Sequence, residues 1–247
     1  MGGANVNAER SEWFKWIAKH EEAVSSFNTA IGLKLDFVEA HYNLGVALHA
    51  LGRYKEAVGS YHKAIELKPN HVKAYNNIGT TLVELGDSKA ATMALNKAIK
   101  LKPDYAQAYS NLGNALNDLG RHEEAIVNFN TAIELKPDSP EVYNNLARIF
   151  REIGNLDNAE IGYKNAISLN PEFEEGYDNL GFIKQKKKKF DDAEKYYRRY
   201  KTINPDNIGN TLSMGSILYS QGNFERALEF FDIYNNKEAR ASALITL

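Results

Sequence analysis

Seven alanines constrain this chain more than any other feature. Ala23, Ala57, Ala91, Ala125, Ala159, Ala193 and Ala227 each follow the last by 34 residues, with no insertion between them. Each sits in a phrase of one character, from EEAVSSF and KEAVGSY to DDAEKYY and ERALEFF. A period held that strictly means that one supersecondary unit is stacked on copies of itself. Chain length then sets the number of units and says nothing about a single closed core.

Placing these alanines at repeat position 20 gives full repeats at 38–71, 72–105, 106–139, 140–173, 174–207 and 208–241, after a degenerate capping unit over 4–37. Position 8 is small throughout: Gly45, Gly79, Gly113, Ala147, Gly181 and Gly215. Position 24 is bulky: Tyr61, Leu95, Phe129, Tyr163, Tyr197 and Phe231. Position 32 is Pro69, Pro103, Pro137, Pro171 and Pro205. Within each repeat, apolar residues recur at three- and four-residue spacing in two runs, which predicts two amphipathic helices. Tyr109, Leu112, Leu116 and Leu119 line one such face, and Ala125, Phe129, Ala132 and Ile133 line the next. Gly120 supplies the turn between them, and Pro137 ends the second helix. The small residues at positions 8 and 20 let paired helices approach closely, with the bulky residue at 24 filling the space beside them.

The sequence of a large residue, Leu-Gly, Ala, an aromatic and Pro resembles the tetratricopeptide repeat, six times over and across nearly the whole chain. The resemblance implies an all-α fold, a right-handed superhelical solenoid of antiparallel helix pairs that binds polypeptides and is not an enzyme. It also implies that the first helix of every repeat lines a concave groove, with positions 2, 5, 6, 9, 12 and 13 facing it. At position 6 stand Asn43, Asn77, Asn111, Asn145 and Asn179. An amide side chain both donates and accepts, so such a ladder matches the C=O and N–H of an extended peptide backbone. The groove of protein O-linked N-acetylglucosamine transferases is similar in this respect. The other reading is that these asparagines contact only water or the neighbouring repeat.

Selectivity would come from residues around the ladder: Lys73 at position 2, Asn114 and Asn117 at positions 9 and 12, and Arg148 and Arg151 at the same positions one repeat later. The two arginines either receive an acidic side chain of the ligand or pair within the chain, with Glu152 or its neighbours. The clamp by which co-chaperone repeats hold a C-terminal carboxylate needs Lys at position 5 and a cation at position 6. Position 5 carries Tyr42, Asn76, Ser110, Asn144, Asp178 and Leu212, so that clamp is absent.

Composition narrows the remaining classes. A formal net charge of -2 disfavours a general nucleic-acid partner. With no cysteine there is no disulfide, thiolate metal site or cysteine nucleophile. The six histidines form no metalloprotease motif, and no phosphate-cradling glycine loop is present, so neither cofactor nor metal is expected. No run approaches the roughly 20 apolar residues of a membrane span, and no export signal is visible, which points to the cytoplasm. The basic run Lys186 to Lys189 falls at a turn and reads as a solvated loop.

Three functions fit these observations: an adaptor or scaffold holding an extended polypeptide, the targeting array of a larger enzyme such as a glycosyltransferase, and a self-assembling scaffold forming homo-oligomers. At the N-terminal end, Trp13, Phe14, Trp16 and Ile17 crowd into the first helix of the degenerate unit and are expected to cap the first full repeat, or else to anchor a membrane or partner. At the other end, Ala239 replaces the proline, and residues 242–247, with Leu244, Ile245 and Leu247, are expected to form a closing helix or to mark a truncation.

Overall fold

The structure is a computed structural model that describes residues 3–205 and 209–232, with side chains described over 14–205 and 211–232. The expectation for 242–247 lies outside these residues. All regular structure among the described residues is helical: α1 (Gly3–Leu33), α2 (Val38–Ala50), α3 (Tyr54–Leu67), α4 (Val72–Glu84), α5 (Ser88–Leu101), α6 (Ala106–Asp118), α7 (His122–Leu135), α8 (Pro140–Glu152), α9 (Leu156–Leu169), α10 (Glu174–Lys186), α11 (Phe190–Ile203) and α12 (Gly209–Ser220). A further helical run covers 224–232. None of the described helices is long and apolar enough to cross a membrane. The chain forms two compact units, residues 1–136 and 137–247.

In the first unit α1 is followed by the pairs α2/α3, α4/α5 and α6/α7. The second unit holds the pairs α8/α9 and α10/α11, and α12 with the run after it. Proline sets the ends of the second helices. The residue before each proline is pushed out of the helical region, as at Lys68 (φ -137°), Lys102 (φ -142°) and Lys136 (φ -147°), and the helices stop one residue earlier.

The small residues at position 8 are contact points. A methyl group added at Gly113 would lie 2.8 Å from the Phe129 ring, and one at Gly181 would lie 2.6 Å from Tyr197. Tyr61, Phe129 and Tyr163 are fully buried against these surfaces, each contributing roughly 1.5–3 kcal/mol by leaving water. The fourth repeat reverses the arrangement. Ala147 takes the glycine's place, and Gly162 on the facing helix makes room for it, since a methyl at Gly162 would come within 2.7 Å of the Ala147 methyl.

The turns between paired helices need a residue at positive φ. Gly52, Gly86, Gly120 and Gly154 supply it at φ between 71° and 80°. In the fifth repeat Lys188 takes the same conformation at φ 57°, the only non-glycine residue to do so among the described residues. Its turn closes as the others do. The Lys189 N–H donates to the Lys184 carbonyl at 2.9 Å and the Lys188 N–H to the Gln185 carbonyl at 2.9 Å, the paired bonds of a left-handed helix cap.

The degenerate N-terminal unit behaves differently. Its residue at the turn position is Ala18, and helix α1 runs through it without a break. There is therefore no separate first helix of that unit. Of the aromatic cluster, Phe14 is 55% and Trp16 44% exposed and Ile17 is half-buried, while the Trp13 side chain lies outside those described. The cap is built further along α1, where Val24 is buried and Ala23, Phe27 and Ile31 pack against the core of Leu44, Leu48, Tyr61 and Ile78.

Candidate functional site

The first helices of the first unit present their position-6 asparagines half-buried, while the position-5 residues Asn76 and Ser110 lie underneath, each 5% exposed. Alternation of buried and half-buried polar residues lets one helix grip the next. The Asn111 amide donates to Asn76 Oδ1 at 2.9 Å and to Thr80 Oγ1 at 3.2 Å, and its Oδ1 accepts from Gln107 at 3.2 Å. The Asn77 amide donates to the Tyr42 hydroxyl at 3.2 Å and its Oδ1 accepts from Asn76 at 3.2 Å. Asn43 makes no side-chain hydrogen bond among the described residues. Asn77 also hydrogen-bonds the Tyr61 phenol, so the ladder is largely an interlock between successive repeats, with spare carbonyl lone pairs left over.

Around the ladder, Val46, His49, Tyr61, Asn77 and Thr80 line a cavity of about 120 Å³. His49 Nδ1 lies 2.9 Å from Thr81 Oγ1, and burial lowers its pKa against the pull of Glu84. Burial pushes the Tyr61 phenol up to about 12. The Oδ1 of Asn114 is buried and has no hydrogen-bond partner. Asn117 is turned toward the helix end, its Oδ1 2.9 Å from His122 Nδ1. Lys73 is exposed.

The second unit repeats the interlock, the Asn179 amide donating to Asn144 Oδ1 at 3.2 Å and Ser213 hydrogen-bonding the Tyr197 phenol. Asn145 is half-buried and makes no side-chain hydrogen bond among the described residues. Arg151 donates to Asn179 Oδ1 at 2.8 Å, and its guanidinium lies over the Phe182 ring at 5.3 Å. Neither Arg148 nor Arg151 has a carboxylate within 4 Å among the described residues, although Arg151 attracts Asp178 from further off. Arg148 Nε is buried without a partner, as is the Tyr163 hydroxyl. Burial pushes the Tyr163 phenol up to about 12, while Arg151 and Arg148 pull it down and Glu152 pushes the same way as burial. Asp178 is raised by burial against the attraction of Arg151.

Of the basic run, Lys186, Lys188 and Lys189 are exposed, as a solvated turn requires, whereas Lys187 is engaged in ion pairs. Lys187 bonds Asp157 at 2.6 Å and Glu160 at 2.8 Å, and the nearly buried Lys184 bonds Glu160 at 2.7 Å. Lys164 completes the shell at 2.7 Å. Burial alone would raise the Glu160 carboxyl, yet the three ammonium groups hold it far below the usual carboxylate range. Lys186 lies over Phe182 at 5.3 Å. Lys184 and Lys187 therefore tie the end of α10 to α9. Among the described residues no group of three or more His, Asp or Glu side chains is placed to hold a metal ion.

Family models described as tetratricopeptide repeat match residues 38–71, 60–92, 140–173 and 174–207, and one described as TPR repeat matches 19–52, 80–120 and 113–154. The chain belongs to the tetratricopeptide-repeat family. No curated protein matches the sequence. Among solved structures, this tetratricopeptide-repeat chain is similar to MamA, with 25% identity and a TM-score of 0.63 over 67% of this chain and 97% of that one. It is also similar to PilW, described as a widely conserved type IV pilus biogenesis factor, at 21% identity and a TM-score of 0.72 over 78% and 90% of the two chains. YrrB, described as a TPR protein with an unusual peptide-binding site, matches at 21% identity and a TM-score of 0.57 over 76% and 96%. The likeness to the last two shows the fold. Proteins of this family are in general scaffolds for protein interaction, with protein or peptide partners.

Proposed function

We propose that this tetratricopeptide-repeat protein is a non-enzymatic adaptor whose first-helix faces hold an extended polypeptide. The observation that carries this reading is the buried, unpartnered Asn114 Oδ1, set on a first helix among asparagines whose hydrogen-bonding capacity is only partly used. A buried carbonyl without a donor is costly, and a peptide N–H arriving in a groove relieves that cost. Asn43 and Asn145 offer both a donor pair and an acceptor, and Lys73, Arg148 and Arg151 select among side chains. Each backbone contact contributes roughly 0.5–1.5 kcal/mol net, so several of them after ordering costs give about micromolar affinity.

The test is a peptide-array screen on the intact chain, with hits measured by calorimetry. Replacing Asn43, Asn114 and Asn145 by alanine removes no internal side-chain hydrogen bond and should abolish capture at unchanged helicity. Equal capture by the triple variant and the wild type would refute groove binding.

A further inference from the structure

The second unit contains a donor cluster that its own residues leave incomplete. Arg148 stands at position 9 of α8, half-buried, with its Nε buried and no hydrogen bond or ion pair among the described residues. Beneath it on α9, Tyr163 is fully buried with a hydroxyl that donates to nothing, within electrostatic reach of both arginines. Arg151 beside them is held in place from two directions, by Asn179 Oδ1 at 2.8 Å and by the Phe182 ring at 5.3 Å. Two arginines thus act on one buried phenol, and neither of them forms an ion pair among the described residues. Asp178 and Glu152 are the acids in the vicinity. Asp178 is half-buried, its carboxyl raised by that burial against the attraction of Arg151, and it forms no ion pair with either arginine.

We propose that Arg148 and the Tyr163 hydroxyl, with Arg151 held alongside, receive a carboxylate of the bound polypeptide. This rests on the reading of the first-helix faces as a polypeptide-binding surface and names the ligand chemistry at one point of it. The Nε and Nη edge of a guanidinium is the edge that grips a carboxylate with two parallel hydrogen bonds. Arg148 presents that edge by swinging on its half-exposed stem. Neutral amides satisfy an arginine one bond at a time, so an aspartate or glutamate side chain, or a chain terminus, is the group that fits both donors. The site differs from the co-chaperone clamp, because the cations come from positions 9 and 12 and the phenol from the second helix.

The experiment follows the arginine Nε–Hε resonances of the intact chain by NMR. The probes are three soluble hexapeptides: alternating Gly and Glu with both ends blocked, alternating Gly and Gln with both ends blocked, and the Gln peptide with a free C-terminus. Sodium acetate serves as a fourth probe. Arg148 is assigned from the spectrum of Arg148→Lys. The expected result is a saturable shift of Arg148 with the Glu peptide and none with the blocked Gln peptide. A shift with the free-ended Gln peptide identifies the terminal carboxylate as a ligand too. Arg148→Met and Tyr163→Phe should each weaken the Glu peptide, the first by roughly tenfold or more, with helicity retained.

If the Glu and Gln peptides shift the α6 and α8 backbone amides equally while Arg148 stays still, the groove reading stands and the carboxylate site is wrong. If acetate shifts Arg148 saturably and no peptide moves any first-helix amide, the carboxylate site stands and the groove reading falls. Arg148 unmoved by every probe overturns the proposal.

Discussion

The first-helix faces of the two units solve the same packing problem with different chemistry. In the first unit, neutral amides and hydroxyls bond each other from repeat to repeat: Asn111 reaches Asn76 and Thr80, and Asn77 reaches Tyr42. In the second unit Asn179 bonds Asn144 and Ser213 bonds Tyr197, and arginines occupy the adjoining positions of α8, where Arg148 Nε has no partner. Amides that satisfy one another fix the spacing of helices and leave a surface tolerant of ligand sequence. A cation that nothing inside the unit satisfies adds little to stability. One ladder of repeat positions therefore divides into residues bonded from repeat to repeat and residues that no internal bond engages, and it is the second group that the proposed function assigns to the ligand.

That division yields predictions graded by the internal bonds each residue makes. The largest effect belongs to Glu160, which holds Lys164, Lys184 and Lys187 and so joins α9 to α10. Glu160→Leu leaves the nearly buried Lys184 with only Asp192 at 3.9 Å and should cost about 3 kcal/mol, read as a lower urea midpoint. Next comes Asn111→Ala, which leaves the buried Asn76 carbonyl without its donor and should cost about 1–2 kcal/mol by the same assay.

Lys188→Gly should act in the opposite direction. It removes a left-handed residue at φ 57° and should stabilise by about 1 kcal/mol, provided that Lys187 keeps its bonds to Asp157 and Glu160. A protein destabilised by this change would mean that the Lys188 side chain itself holds the turn. Smaller again is the pH response of the first unit. Burial lowers both His49 and His71 below 6.5, so the unfolded chain takes up protons first as the medium is acidified. Stability should therefore fall as pH drops below about 6.5, in melting curves recorded from pH 8 to pH 5, and His49→Gln should flatten part of that slope. Smallest of all is the stability effect of Arg148→Met, expected within about 0.5 kcal/mol because no internal bond is lost.

The helix pairs could be read from the sequence because a 34-residue period, a small residue at position 8 and a proline at position 32 each carry a local physical meaning. Two departures show where that reading fails. Ala18 and Lys188 both stand where the turn glycine belongs, yet α1 runs straight on while the fifth repeat still turns. At Lys188 the chain still closes the paired cap bonds to Gln185 and Lys184, and Lys187 beside it is pinned to Asp157 and Glu160, contacts across 27 and 30 residues that no local reading shows. The aromatic cluster at Phe14 and Trp16 was expected to form the cap by composition alone. With no turn at Ala18, the capping face moves along α1 to Val24 and Phe27.

At the candidate site, the position-6 asparagines were legible as a ladder, but their partners were not. Each bond joins residues 31 to 35 apart, and only the stacked helices show which position of one repeat meets which of the next. Tyr163 escaped notice for another reason: aromatic residues at position 24 read as core filler. Its ring is indeed core, and only the unpartnered hydroxyl marks it as more than that.

The most direct test sets two variants against each other on peptides captured by the wild type. One lacks the unbonded amides, with Asn43, Asn114 and Asn145 changed to alanine. The other lacks the interlocking pair, with Asn77 and Asn111 changed to alanine. Calorimetric titration and a urea melt are run on both. The account predicts that the first variant loses binding at unchanged stability, whereas the second loses stability first. A first variant that binds as tightly as the wild type, or that melts as early as the second, would contradict it.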